Sequence, residues 1–287
     1  MSLLPSGATK ASRLRFDLAT RLAELCPQHL GRELALTGSA SRGVADEDSD
    51  IELVAWVDAM PTKDERDAWL AEIGGTDVAP ETHTSQDGTV WHWSRFQDTW
   101  LEAGWQSITT HERVLQSILA GDEIDHRRLT VTDAVIHAVP LRTDGSLSTW
   151  QQQLADYPEV LRDRLLNSGS RRWTTTVAYW ALARRGDRVA AAERIVADVQ
   201  SVLRMVFALN RVWEPAWKWS PLRTAALLSK PDRLMERLDT ILSMSDLDRS
   251  LTTCAELFLD TLRLVPADVD VSDAVMTIER GLRERAP

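Results

Sequence analysis

The chain has 287 residues, 44% hydrophobic and 26% charged, with a formal net charge of −10. That length suits two modest domains or one large one, and the composition excludes a disordered or fibrous chain. The acidic balance argues against a protein that grips nucleic acid through a general basic field, and it suits a cationic small partner better.

No apolar run approaches the roughly 20 residues needed to cross a bilayer, and no charged-then-apolar leader opens the chain. The two cysteines, Cys26 and Cys254, lie in no metal-ligand spacing, so the expected setting is a reducing cytoplasm without a membrane anchor.

Leu14, Leu18, Leu22 and Leu25 recur at helical spacing and predict an amphipathic helix over 10–26. A first strand follows at 33–37. It breaks at Gly38-Ser39, and after Arg42-Gly43 and an acidic loop a second apolar run opens at Asp50-Ile51-Glu52-Leu53. Thr62 and Glu65 form a capping box for a helix carrying Trp69, Leu70 and Ile73, which Gly74-Gly75 ends. Residues 88–107 are rich in aromatic and β-branched side chains broken by Gln97-Asp98, and predict two strands joined by a tight turn. A second capping box, Thr109 to Glu112, predicts a helix that Gly121 stops, and Ala134 to Leu141 reads as a last strand.

From 147 onwards the period is helical, with helices expected near 147–166, 171–185, 189–206, 232–243, 246–264 and 272–285. A boundary near Ser146 therefore separates a mixed strand-and-helix domain, 1–145, from an all-helical domain, 146–287. The fold class is α+β, with a small mixed sheet flanked by helices and followed by a helical bundle.

The chemistry concentrates at the second strand. Successive strand side chains point to opposite faces, so Asp50 and Glu52 share one face while Ile51 and Leu53 anchor the other. Two carboxylates so close repel unless a divalent cation lies between them, and Mg²⁺ prefers such oxygen ligands together with phosphate. Asp48 and Asp50 are also two apart, but Ile51, Leu53 and Val57 continue the alternation from Asp50 and favour the later pair. Gly38 lets backbone approach a phosphate closely, and Ser39 adds a hydroxyl.

Gly-Ser, Arg-Gly a few residues on and Asp-x-Glu on a strand together resemble the nucleotidyltransferase superfamily of the DNA polymerase β type. Within it the resemblance is to antibiotic nucleotidyltransferases acting on aminoglycosides and lincosamides, specific over 34–57 and looser elsewhere. It implies transfer of a nucleoside monophosphate, AMP from ATP, to a hydroxyl of a small molecule, with Mg²⁺ on Asp50 and Glu52. It also implies a third carboxylate on a later strand. Glu102, flanked by apolar residues, is the first choice as metal ligand and catalytic base, ahead of Asp98 and Asp133.

By the same resemblance Gly38, Ser39 and Arg42 lie near the triphosphate, and Lys218, in the Asn210–Trp219 segment, contacts it. Lys218 can equally snorkel outward, and Arg42 can be a surface side chain. Relatives carry Asp at the position of Glu52, which is one methylene longer and still able to ligate Mg²⁺. Trp91, Trp93, Trp100 and Trp105 read either as a wall for the acceptor or as sheet packing. Two further readings stand beside this one. An acceptor such as tRNA or a protein would need a basic stripe, for which Arg171, Arg172, Arg184, Arg185 and Arg188 are candidates, and a non-catalytic module would leave Glu102 far from Asp50.

Overall fold

β2 (Ile51–Val57) lies at the middle of the first half of the chain, and its alternation sets the layers around it. The computed structural model describes residues 3–80, 82–172 and 180–285. Its six strands order as β3-β4-β5-β2-β1-β6: β1 (Glu33–Leu36), β3 (His83–Thr84), β4 (Val90–Phe96), β5 (Thr99–Ser107) and β6 (Val139–Arg142). β2 pairs parallel with β5, and every other pairing is antiparallel, so the sheet is mixed.

One face of the sheet is the core. Ile51, Leu53, Ala55 and Val57 of β2 stand beside Leu101, Ala103 and Trp105 of β5 and Leu34 and Leu36 of β1. The first helix, α1 (Lys10–Leu25), covers them with Leu18, Leu22 and Ala23, and α3 (Lys63–Glu72) covers them with Trp69 and Leu70. The Trp69 and Trp105 rings meet edge to face at 5.8 Å, a favoured aromatic arrangement. The capping box at Thr62 and Glu65 forms as the sequence predicts.

The opposite face is covered along only part of its length. Towards the C-terminal ends of β2 and β5, Trp56 and Gln106 are buried beneath His111 of α4 (Ile108–Leu119) and Trp150 of α6 (Ser146–Gln153). Towards the N-terminal ends, Glu52 and Glu102 are half-buried. The candidate acidic side chains therefore emerge on the half of the sheet that these helices leave uncovered.

Two local expectations differ. The helix expected from Thr109 begins at Ile108, directly out of β5, so Thr109 lies in its first turn and does not cap it. The strand expected over Ala134–Leu141 forms only in its second half: α5 runs His126–Ile136 and takes Ala134–Ile136, while β6 holds Val139–Arg142. Val131, Val135 and Ile136 are good strand formers, but the Asp125 carboxylate accepts the Arg127 amide at 2.9 Å and caps the helix.

By its internal contacts the chain divides into one unit of residues 1–119 and 125–156 and a second of 120–124 and 157–287. The second unit is helical. α7 (Glu159–Arg172) and α12 (Leu247–Arg263) pack on α9 (Arg188–Leu209), and α11 (Leu234–Ser243) and α13 (Ser272–Arg285) pack on α12. Ile195, Val202 and Val206 of α9 and Leu251, Cys254 and Phe258 of α12 are buried at helical spacing. α8 (Trp180–Arg185) and α10 (Ser220–Ala225) are single short elements, the latter opening on Pro221. With α2 (Gly38–Ser41) there are thirteen α-helices among the described residues, none long and apolar enough to cross a membrane.

Candidate active site

The parallel pairing of β2 and β5 places Glu52 directly opposite Glu102. Adjacent strands lie about 4.8 Å apart, so the two carboxylates are neighbours on the uncovered face. Like charges in this relation repel, and each acid is drawn away by a neutral donor on its outer side. Thr37 Oγ1, at the end of β1, donates to Glu52 Oε1 at 2.5 Å, and Trp93 Nε1, on β4, donates to Glu102 Oε1 at 2.6 Å. Glu52, Glu102 and Trp93 form one row across β2, β5 and β4, which Thr37, one residue past β1, extends by its amide bond to the Glu52 carbonyl.

Glu102 also lines an open cleft of about 570 Å³ with Asp48, Asp50, Asp77, Trp93 and Trp100. Four carboxylates and two indoles in one concave surface make a strongly negative site, suited to a cation or to phosphates that arrive with metal. Asp50 precedes β2 by one residue and Asp48 lies in the acidic loop, so the structure brings Asp48, Asp50 and Glu102 together. Glu52 stands at Glu102's side and turns towards Thr37.

Gly38 supports Glu52 from the other side. Its φ of +70° lies in the left-handed region, and a Cβ there would stand 3.0 Å from Glu52 Oε2. Only glycine accepts both conditions without strain. Gly38 opens the short turn α2, in which Ser39 is partly exposed and the Ser39 carbonyl accepts the Val44 amide.

The remaining sequence candidates have the following surroundings. Arg42 forms a buried ion pair with Asp133, 2.8 Å from Nη2 to Oδ2, with side chains 7% and 1% exposed. Arg42, expected near the triphosphate or else at the surface, is thus a buried side chain, and Asp133 is the partner of a cation. Asp98 is exposed at the tip of the β4–β5 hairpin. Lys218 belongs to the second unit, in a short 3₁₀ turn, where its ammonium lies 5.4 Å from the centre of the Trp219 ring. Strand alternation puts Trp105 on the core face and Trp91, Trp93 and Trp100 on the other, where position along the strands separates them. Trp105 is core and donates to the Leu30 carbonyl, Trp91 packs across Gly104, and only Trp93 and Trp100 reach the cleft.

Sequence reasoning missed Thr37, Asp77 and the hydrogen-bonding role of Trp93. Thr37 carried a signal, because it sits one residue before the Gly38 turn. Asp77 carried none, being brought to the cleft by a loop whose Thr76 and Ala79 amides bond to β4.

An all-oxygen donor set of Asp50, Glu52 and Glu102 has the chemistry of a Mg²⁺ site. The side chains do not converge as they stand: among the described residues no group of three His, Cys, Asp or Glu is placed to hold a metal ion. Glu52 and Glu102 are held instead by Thr37 and Trp93.

Residues 125–220 match a family described as a domain of unknown function (DUF4037). The chain matches no curated protein. Among solved structures it is similar to a nucleotidyltransferase-like protein from Exiguobacterium sibiricum 255-15, at 13% identity and a TM-score of 0.42, over 97% of this chain and 80% of that one.

Proposed function

We propose that the cleft is the active site of a Mg²⁺-dependent nucleotidyltransferase that moves a nucleoside monophosphate, AMP from ATP, onto a hydroxyl of a small acceptor. The observation that carries this reading is the pairing of Glu52 with Glu102 beside the Gly38 turn, with Asp50 on the same cleft. Asp50, Glu52 and Glu102 would hold the metal. Bound there, Mg²⁺ would neutralise charge on the α-phosphate and on the attacking and leaving oxygens.

The chain's own groups have separable roles. Gly38 and Ser39 offer close backbone and a hydroxyl to phosphate oxygens. Glu102, beside Asp50 in the cleft, is placed to take the acceptor's hydroxyl proton. Trp93 orients Glu102 by its indole N–H, and Trp100, 47% exposed, offers a flat face to an apolar or cationic acceptor. The acidic lining favours an amine-bearing acceptor such as an aminoglycoside.

Purified protein incubated with ATP and a panel of polyamine and aminosugar acceptors should release pyrophosphate only with Mg²⁺. Asp50→Ala should abolish both that release and Mg²⁺-dependent ATP binding. ATP binding that is indifferent to Mg²⁺ and to Asp50→Ala would refute the assignment.

A further inference from the structure

The acidic loop that leads into Asp50 is held from behind by α1. The Thr9 amide donates to the Gly43 carbonyl at 3.0 Å, and its hydroxyl donates to the Ala45 carbonyl at 2.6 Å. The Ala45 amide in turn donates to Ser12 Oγ at 2.9 Å. Arg15 completes the series. Its side chain is buried, at 6% exposure, and donates from Nε to the Ser49 carbonyl at 2.6 Å and from Nη2 to the Glu47 carbonyl at 2.9 Å. A longer bond from Nη1 reaches the Ala11 carbonyl at 3.4 Å. Thr99, at the start of β5, adds its hydroxyl to the same Ser49 carbonyl at 3.3 Å.

All of these Arg15 bonds go to main-chain carbonyls. Burying a guanidinium is costly unless its donors are satisfied and its charge is answered. Here the answering charge is the loop itself, where Asp46, Glu47, Asp48 and Asp50 fall within five residues. Such a run repels itself and resists a single conformation. A cation beneath it lowers that repulsion, and a planar fork is the shape that reaches two carbonyls two residues apart. The Ser49 carbonyl belongs to the peptide that continues into Asp50.

We propose that Arg15 is a positioning residue: it fixes the Glu47–Ser49 segment so that Asp48 and Asp50 face the cleft in the geometry that metal and nucleotide require. The inference rests on the reading of the cleft as a nucleotidyl-transfer site. A second cavity, of about 420 Å³, is lined by Leu14, Arg15, Leu18, Glu47 and Thr99. The chain neighbours of the last two, Asp48 and Trp100, line the cleft instead. One short segment thus has Arg15 on one side and the proposed chemistry on the other, and the second cavity gives a small cation a route to the site of the guanidinium.

The test compares wild type, Arg15→Ala and Arg15→Lys by hydrogen exchange and by Mg²⁺-dependent pyrophosphate release. In Arg15→Ala, exchange over residues 44–50 should accelerate at least about 10-fold while β1 and β5 keep their protection, and release should fall about 10- to 100-fold, as for other groups that orient metal ligands. Added methylguanidinium should restore part of that activity, and Arg15→Lys should recover little of it. Unchanged exchange over 44–50 would overturn the inference, as would loss of protection throughout the sheet, which marks a role in folding alone. Loss of activity that methylguanidinium leaves untouched would also overturn it. Should wild type itself show neither release nor Mg²⁺-dependent ATP binding, the reading of the cleft fails, and the exchange data judge the Arg15 clamp by themselves.

Discussion

Glu52 and Glu102 face each other in register across the parallel β2–β5 pair, and each is held from its far side by an uncharged donor, Thr37 and Trp93. The arrangement keeps two acidic side chains adjacent. Under the proposed function this sets stability against activity, because a neutral side chain at either position would suit the bare sheet better.

Glu102→Gln makes that conflict measurable. The substitution removes one charge and keeps an oxygen that can accept from Trp93, so the unfolding free energy should stay the same or rise by up to about 1 kcal/mol, the scale of a cross-strand pair. Mg²⁺-dependent pyrophosphate release should nevertheless fall by about 100-fold or more, since an amide neither takes a proton nor neutralises a metal. Denaturant titration and the release assay on the same preparation decide it. A variant both less stable and fully active would show that Glu102 is a structural acid.

Much of the cleft could be read from local patterns, because strand alternation is local. Ile51 and Leu53 against Asp50 and Glu52 declared which side was core, and the Gly38 turn announced itself by residue type. The partner of Glu52 could be named but not placed. The register of β5 depends on a parallel crossing set by the whole β2–β5 connection, and no residue near Glu102 records it. The same limit hid Arg15, whose carbonyl partners lie 32 and 34 residues away, and hid the partner of Arg42, whose carboxylate lies 91 residues away. In 126–136 propensity and capping disagreed, and the Asp125 cap together with burial of Leu129 and Val135 decided for helix.

Arg42→Met separates the structural from the ligand-binding reading of that arginine. Removing it strands Asp133, 1% exposed, without the cation it faces at 2.8 Å. Breaking one side of a buried ion pair typically costs about 3–5 kcal/mol, so the variant should unfold at markedly lower denaturant. The fraction that remains folded should bind ATP with Mg²⁺ as wild type does. A variant of unchanged stability and weakened ATP binding would restore Arg42 to the nucleotide site.

The pH dependence of stability should carry the mark of His111. This imidazole is buried between Trp56 and Trp150, with Nδ1 2.9 Å from the Gln106 side-chain oxygen. Burial pushes its pKa down from 6.5 to about 4. A base held neutral in the folded state contributes stability above its unfolded pKa, and that stability is lost as pH falls from about 6.5 to about 4, where the unfolded chain binds the extra proton. Two and a half pKa units correspond to about 3 kcal/mol. Glu33 works in the opposite sense: burial raises its pKa, so the folded state takes up a proton first and gains as pH falls. The wild-type curve mixes these with carboxylates such as Asp144 and Glu65, whose pKa values are lowered by hydrogen bonds, and the informative quantity is the difference from His111→Gln. That difference should be largest near neutral pH and shrink by about 3 kcal/mol on acidification to pH 4, as chemical denaturation at each pH would record. A constant difference across the range would mean that His111 is as readily protonated in the folded chain as in the unfolded one.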